Sequence, residues 1–257
     1  PDRPYGPTVT YSLVIGLIIW AIIDLGRHLV PSSAETGWPK GWQGLALVAV
    51  AISFGYYAGN LVNRSANHGV SWSVISPDLT GGPGRDPNYP FGTVTTVAGA
   101  KTDANRVLAG TDDGRLWFTT NLGGNWTQVT DSDVPGTWVT RVTVDPANAL
   151  VAYATFSGYR SGTPLPYVLK TTDGGITWTS IVGNLPQAPV NDLVVVGATL
   201  YAGTDVGVFS STNAGRKWRA AATGLPNVPV TDLEYRAASN ALYAATFGRG
   251  MYLLALP

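Results

Sequence analysis

The chain contains no cysteine, and its charge is low: 16 basic and 16 acidic side chains form 12% of its 257 residues and cancel each other. The lack of cysteine excludes disulfide bonds and thiolate sites for metals or redox chemistry. The balanced charge provides no basic surface of the kind that nucleic-acid binding needs, so no nucleic-acid partner is expected. With only two histidines and no spaced ligand cluster, the sequence predicts neither a metal site nor a cofactor.

Residues that usually cover helix surfaces are also rare. Glutamate occurs only as Glu35 and Glu234, and lysine is scarce. The 31 glycines and 18 prolines, together with many threonines and valines, are typical of short strands joined by tight turns. The length is sufficient for a buried core in one or two units.

A pattern Ser/Thr-x-Asn/Asp-x-Gly-x-x-Trp occurs four times, at residues 65–72, 119–126, 171–178 and 211–218. We expect the third residue to hydrogen-bond the amides of a turn and the glycine to adopt a positive φ. The tryptophan is expected to bury its ring between neighbouring elements. The residues given this structural role are Ser65, Asn67, Gly69, Trp72, Thr119, Asn121, Gly123, Trp126, Thr171, Asp173, Gly175, Trp178, Ser211, Asn213, Gly215 and Trp218.

Three strand patterns recur between these copies, with Trp-to-Trp steps of 54, 52 and 40 residues. Such a repeat predicts stacked blades, each ending in a fourth strand that begins at Trp126, Trp178 or Trp218. The predicted strands are 93–97, 107–111 and 116–119; 139–144, 151–155 and 167–171; 190–195, 200–204 and 208–211; and 230–235, 242–246 and 251–254.

The last unit lacks a fourth strand of its own, whereas residues 72–76 form a strand pattern that belongs to no blade. We therefore expect residues 72–76 to complete the last blade, which leaves few exposed sheet edges. The fold class predicted for residues 63–257 is an all-β propeller of four blades closed by an N-terminal strand. If residues 45–65 also form strands, the count becomes five.

The four copies resemble the Asp-box of BNR-repeat and sortilin-type β-propellers. The segments 72–82, 109–114, 190–193 and 245–251 are similar to the C-terminal propeller of bacterial sortilin-like proteins, many of them labelled glycosyl hydrolases. The resemblance implies a propeller in which the Asp-boxes are structural, and it implies a position outside the cytoplasm. The N-terminal apolar part lies outside the resemblance.

Residues 1–62 are predicted to form a membrane anchor. Residues 5–23 carry no charge, and 12–23 read SLVIGLIIWAII, which approaches the roughly 20 residues that span a bilayer. A second uncharged run, 43–62, has tryptophan and tyrosine near its ends, as membrane helices do. One helix or a hairpin of two is therefore expected, with the lipid bilayer as a partner. The alternative makes 45–51 and 53–59 strands.

Five aspartates are candidate glycosidase carboxylates, which must face one cavity in pairs: Asp112, Asp113, Asp192, Asp205 and Asp232. The residues at 112–114 and 205–207 are interpreted as turns, whereas Asp192 and Asp232 are equivalent repeat positions at the start of inner strands. No catalytic residue is therefore predicted, and the chain is not expected to be an enzyme. The positions expected on solvated blade edges are Arg141, Arg160, Arg216, Arg219, Arg236 and Arg249. The aromatic residues expected to pack in the core are Trp117, Tyr159 and Phe247.

The function predicted from these patterns is a membrane-anchored β-propeller that binds integral membrane subunits as a non-catalytic scaffold of a larger complex. A photosynthetic or respiratory assembly is one option, and the propeller is placed on the extracytoplasmic (periplasmic) side. The alternatives are a membrane-tethered BNR-type glycoside hydrolase or carbohydrate-binding protein, and a fragment of a longer sortilin-like receptor.

Overall fold

The computed structural model describes residues 60–81, 92–221 and 224–256. The chain divides between Thr93 and Val94 into two compact units. Nearly all of the predicted membrane anchor lies outside the described residues, and residues 60–62, where it ends, are not helical. Among the described residues, no helix has the length and apolar character needed to cross a membrane. The boundary predicted between residues 62 and 63 stays a prediction.

The described part of the first unit contains one short antiparallel pair of strands. Strand β1 is Asn63–Arg64 and strand β2 is Ser73–Val74, and the first repeat copy forms the turn between them. Strand β2 lies inside the segment 72–76, which was expected to complete the last blade. Its partner in this structure is β1, and both the closure and the blade count stay predictions.

The second unit consists of antiparallel sheets in which strands follow one another in chain order, as in propeller blades. Blade 1 contains β3 (Val94–Gly99), β4 (Val107–Thr111), β5 (Leu116–Thr119) and β6 (Thr127–Gln128). Blade 2 contains β7 (Trp138–Val144), β8 (Ala152–Ser157), β9 (Pro166–Thr171) and β10 (Thr179–Ser180). Blade 3 contains β11 (Val190–Val196), β12 (Thr199–Thr204), β13 (Gly207–Ser211) and β14 (Arg219–Ala220). Blade 4 contains β15 (Val230–Arg236), β16 (Ala241–Thr246) and β17 (Gly250–Ala255).

These strands confirm the twelve predicted for residues 93–254, each to within two residues at its ends. The fourth strands β6, β10 and β14 begin one residue after Trp126, Trp178 and Trp218. The agreement follows from local pattern, since β-branched and aromatic residues fill the strands and glycine-rich turns separate them.

Apolar cores fill the spaces between successive blades. The inner strands pack in sequence, β3 on β7, β7 on β11 and β11 on β15. Trp178 belongs to the core that also contains Leu116 of blade 1, and Trp218 to the core that contains Val168 of blade 2. Each of these two rings therefore packs against the preceding blade, as expected.

Hydrogen bonds from one polar side chain in each of the inner strands β3, β7 and β11 also join neighbouring blades. Thr95 Oγ1 donates to the carbonyl oxygen of Val139 at 2.6 Å, and Thr140 Oγ1 donates to that of Val190 at 2.7 Å. Asn191 Nδ2 donates to the Val230 carbonyl oxygen at 3.1 Å. A polar side chain at this position thus fixes the height of each blade against the next.

The second unit has two faces that differ in composition. We name the loop face after the hairpin turns 112–115, 158–165, 205–206 and 247–249, which lie beside the beginnings of the inner strands. The N–H of Phe247, for example, donates to the Pro229 carbonyl at 2.9 Å. The motif face is the opposite one, formed by the repeat copies 119–126, 171–178 and 211–218. There the N–H of Gly174 donates to the Leu150 carbonyl at 2.8 Å.

Candidate functional site

The four repeat copies form the same hydrogen-bonded turn. In each, the first-position hydroxyl donates to the third-position side-chain oxygen at 2.8–3.0 Å and accepts the glycine N–H at 2.7–3.0 Å. The third-position oxygen also accepts the N–H of the seventh residue at 2.8–3.0 Å. The four glycines have φ between 84° and 108°. These polar groups are thus occupied within their own turns, which leaves them little capacity for a ligand.

The tryptophans of the repeat copies differ in exposure. Trp178 and Trp218 are 3% and 2% exposed, and their indole N–H groups donate to the carbonyls of Gly175 and Ile181. Trp126 is half-buried. Trp72 is 63% exposed, so its ring does not have the burial that the motif predicts. Trp72 lies immediately before β2 in the two-stranded pair β1–β2, and this pair is smaller than a blade.

Asp173 is the one carboxylate among the four third-position residues. Desolvation raises its pKa, but hydrogen bonds from the hydroxyl and N–H of Thr177, the hydroxyl of Thr171 and the N–H of Ile176 outweigh this effect. The net result is a pKa well below the usual range for aspartate. Asp173 is therefore an ionised acceptor that holds a turn.

A different kind of site lies where the inner strands begin. Each inner strand contains a β-bulge, at Thr95, Thr140, Asn191 and Thr231, and a bulge redirects the side chain next to it. The residues that follow the bulge are Thr96, Arg141, Asp192 and Asp232, one from each blade. The repeat thus places one polar side chain per blade at the same level of the inner strands.

Three of these side chains form a continuous ion cluster, Arg141–Asp192–Asp232. Arg141 Nε donates to Asp192 Oδ1 at 2.5 Å, and Arg141 Nη2 donates to Asp192 Oδ2 at 2.7 Å. The same Nη2 also donates to Asp232 Oδ1. Arg141 was expected on a solvated blade edge, and that expectation is wrong, because its side chain is only 16% exposed. The planar guanidinium can reach two carboxylates in fixed geometry.

Asp192 is fully buried and has no remaining capacity to accept a hydrogen bond. Besides the two bonds from Arg141, its oxygens accept the N–H groups of Leu193 and Leu233, both at 2.7 Å. Burial alone would lower the pKa of Arg141, but its ion pairs with Asp192 and Asp232 raise it above the usual range. Arg141 and Asp192 therefore form a fixed pair whose hydrogen-bonding groups are occupied, which is the geometry of a structural ion pair rather than of a general acid or base.

Asp232 differs from Asp192 in exposure and in charge balance. Its side chain is 40% exposed, and its hydrogen bond to Arg141 uses Oδ1. Desolvation and the charge of Asp192 raise the pKa of Asp232 to about 6, although Arg141 opposes the shift and Glu234 adds to it. Asp232 is the accessible carboxylate of the cluster and is ionised at neutral pH.

The other candidate glycosidase carboxylates are held by contacts with nearby residues. Asp113 lies in the β4–β5 turn and pairs with Arg115 Nε at 2.8 Å, while Asp112 is buried beside it. Asp205 accepts a hydrogen bond of 2.8 Å from Asn191 Nδ2. These positions agree with the predicted turns. Glu234 is exposed in β15, whereas Glu35 lies outside the described residues.

Large apolar side chains project from the loop face. Tyr159 and Phe247 are 74% and 76% exposed, so the preferred interpretation that they pack in the core is wrong. Leu165 and Val206 are also exposed on these turns. Tyr159 and Leu165 belong to the long β8–β9 connection, which is fastened by the hydrogen bond from Thr137 Oγ1 to the Ser157 carbonyl at 2.9 Å.

Arg160 and Arg249 lie on the same turns as Tyr159 and Phe247. The guanidinium of Arg160 lies 4.2 Å from the ring centroid of Trp138, a cation–π distance. Arg160, Arg216, Arg219, Arg236 and Arg249 are exposed, as predicted. Trp117 is half-buried. Within the described residues, no group of three potential ligands could hold a metal ion.

Comparisons with known proteins agree with the fold. The chain matches no protein-family model and no curated protein. Among solved structures it is similar to an ancestral GH74 enzyme, with 21% identity and a TM-score of 0.56 over 73% of this chain and 25% of that one. It is also similar to YCF48 bound to D1 peptide, with 12% identity and a TM-score of 0.51 over 77% of this chain and 62% of that one. The GH74 xyloglucanase from Xanthomonas campestris is similar with 20% identity and a TM-score of 0.51 over 63% of this chain and 29% of that one. The chain thus spans about a quarter of the GH74 structures, and these likenesses show a β-propeller fold.

Proposed function

We propose that this chain is a non-catalytic binding propeller that holds a partner protein on its loop face. The observation that carries the proposal is the way in which Arg141 binds both Asp192 and Asp232. The carboxylates of successive blades are joined to a fixed cation instead of being left to act as an acid and a base. Exposed Tyr159 and Phe247 on the same face supply apolar contact area of the kind that protein interfaces use.

Membrane attachment and a scaffolding role in a larger complex belong to the same proposal. The support is the sequence of residues 1–62, with uncharged runs at 5–23 and 43–62. On this view the partners include integral membrane subunits, and the propeller lies on the extracytoplasmic side, where it presents the loop face to them.

Glycoside hydrolysis is the competing proposal, and it is favoured by the pKa of about 6 at accessible Asp232. A carboxylic acid of this pKa can donate a proton near neutral pH. Both the retaining and the inverting mechanisms need a second carboxylate that can act as nucleophile or base. Asp192 is the neighbouring one, and its oxygens are already occupied by Arg141 and by two backbone N–H groups.

The test is the native mass and composition of the particle extracted in mild detergent. Stoichiometric co-purification with integral membrane proteins is the expected result. A particle with the mass of this chain alone, together with hydrolysis of a β-glucan or xyloglucan that Asp232→Asn abolishes, would contradict the proposal and establish the enzyme. Phe247→Ala is the second variant, because it should release the partner without touching either carboxylate.

A further inference from the structure

The loop face combines exposed apolar side chains with an accessible carboxylate, that of Asp232. The turn that carries Phe247 lies beside the beginning of β15, the strand of Asp232, because the Phe247 N–H donates to the Pro229 carbonyl. The connection that carries Tyr159 starts beside the beginning of β7, the strand of Arg141, because Ser157 pairs with Trp138. The exposed apolar side chains are thus carried by turns of blades 2 and 4, the blades that supply Arg141 and Asp232.

The ion cluster itself carries a net negative charge, whereas exposed Arg160 and Arg249 lie on the turns of blades 2 and 4. Arg141 carries one positive charge against the two negative charges of Asp192 and Asp232, and exposed Glu234 follows on the same strand as Asp232. Asp192 cannot accept a further bond, whereas Asp232 Oδ2 accepts none among the described residues and belongs to a side chain that is 40% exposed. Among the described residues, the acceptor atom of the cluster that remains available is therefore the anionic Oδ2 of Asp232.

The ligand that complements this arrangement is cationic at its centre and apolar on both sides. We propose that the loop face binds an extended segment of a partner protein in which a lysine or arginine lies between apolar residues, with its cationic group on Asp232. This inference rests on the proposed binding function and specifies the chemistry of the bound segment. A lysine or arginine stem packs along apolar surface while its charged end reaches a carboxylate.

The site also has a built-in dependence on pH. Because the pKa of Asp232 is about 6, the carboxylate is charged at pH 7.5 and largely neutral at pH 5. The charged groups that act on it are Arg141 and Asp192 of the cluster and Glu234 of its own strand. A lysine or arginine ligand keeps its charge over this range, so the affinity for such a ligand should fall as the pH drops through 6.

The experiment uses the full chain in detergent as bait for a phage-displayed library of random peptides. We expect the selected peptides to share a lysine or arginine flanked by apolar residues. The synthetic consensus peptide should bind Asp232→Asn about tenfold more weakly than the wild type, which corresponds to the loss of one charge-assisted hydrogen bond. Binding to the wild type should weaken between pH 7.5 and pH 5, and binding to Asp232→Asn should not.

Matched controls lie on the motif face. Asp145→Asn removes an acid at the far end of an inner strand, and Ile176→Ala truncates an apolar side chain that is 62% exposed there. Neither should change the affinity, whereas Phe247→Ala should lower it. The Phe247 variant changes an exposed turn, so its folding is not at issue.

The possible outcomes separate the two proposals. Peptides that lack a basic residue, or that bind Asp232→Asn as well as the wild type, would overturn the cationic-ligand inference while leaving a binding function intact. A library that yields no peptide also overturns the inference. If, in addition, no protein co-purifies with the detergent-extracted chain, the proposed binding function fails as well.

Discussion

Asp192 accepts the backbone N–H of Leu233, a residue 41 positions later in the chain and in the next blade. A carboxylate of blade 3 thus satisfies a donor of blade 4. Thr96 does the same between blades 1 and 2, because its Oγ1 accepts the N–H of Val142 at 3.1 Å. The position after the bulge therefore joins blades at these two interfaces, whereas the Asp232 side chain remains 40% exposed.

Replacement of Asp192 should destabilise the propeller strongly. The change Asp192→Ala leaves the largely buried Arg141 with one partner and exposes two backbone N–H groups to an apolar space. Breaking a buried pair in this way costs about 3–5 kcal/mol. Urea unfolding measured by tryptophan fluorescence would report the loss. Asp133→Ala, at an exposed linker residue, is the control and should stay close to the wild type.

The hydrogen bond from Thr140 to Val190 should contribute measurably to the joining of blades 2 and 3. The change Thr140→Val keeps the shape but removes the donor, which leaves a carbonyl unsatisfied, and we expect a loss of about 1–3 kcal/mol. Thr231→Val is the matched control, since Thr231 is exposed and bonds at 3.3 Å within its own blade. Equal unfolding midpoints for the two variants would show that the bond between blades contributes nothing.

Much of the fold could be predicted from the sequence because its determinants are local. A strand such as Val107–Thr111 is recognisable from five consecutive residues, and the turn at Thr171–Asp173–Gly175 closes its hydrogen bonds within five. The positions of the strands need only such short patterns. Blade closure and the membrane anchor depend instead on residues that are far apart or outside the described part.

The ion cluster could not be predicted in the same way. Arg141 and Asp232 are 91 residues apart, and they meet because three blades stack at a fixed height and each inner strand has a bulge. The available signal was the alignment of Arg141 with Asp192 and Asp232 after Val-Thr or Val-Asn, which places opposite charges at one repeat position. The exposure of Tyr159 was missed because the β8–β9 connection is much longer than the turn at 205–206.

The repeat turn at Asp173 should make stability depend on pH. Its pKa is lowered in the folded state from the ordinary value of 3.8, so its contribution is present above about pH 4 and is lost as the pH falls towards the folded-state pKa. Asn fits this turn, as Asn121 and Asn213 show. Asp173→Asn should therefore be less stable than the wild type at pH 7, and the difference should shrink at pH 2.5.

Thermal unfolding of the two proteins at pH 7 and pH 2.5 provides that measurement. The comparison is between differences, so the general effect of acid on the many other carboxylates cancels. A gap between wild type and variant that is the same at both pH values would show that Asp173 is not stabilised by ionisation. Asn121→Asp is the reciprocal variant and should acquire the acid-dependent loss.

Asp232 should titrate about two pH units above an ordinary aspartate, with the opposite consequence for stability. Its pKa is raised to about 6 because burial and Asp192 disfavour its charge, so its stabilising contribution is present below the unfolded-state pKa and is lost as the pH rises from about 4 through 6. Carboxyl carbon NMR shifts of aspartate-labelled protein should show one resonance with a midpoint near 6, and Asp232→Asn should remove it. Phe247→Ala should leave that resonance in place, because the upward shift arises from desolvation by burial and from the charges of Asp192 and Glu234 rather than from the aromatic ring. A titration of every aspartate below pH 5 would show that Asp232 is solvated more fully than its contacts indicate, and the pH dependence expected for ligand binding would then be lost as well.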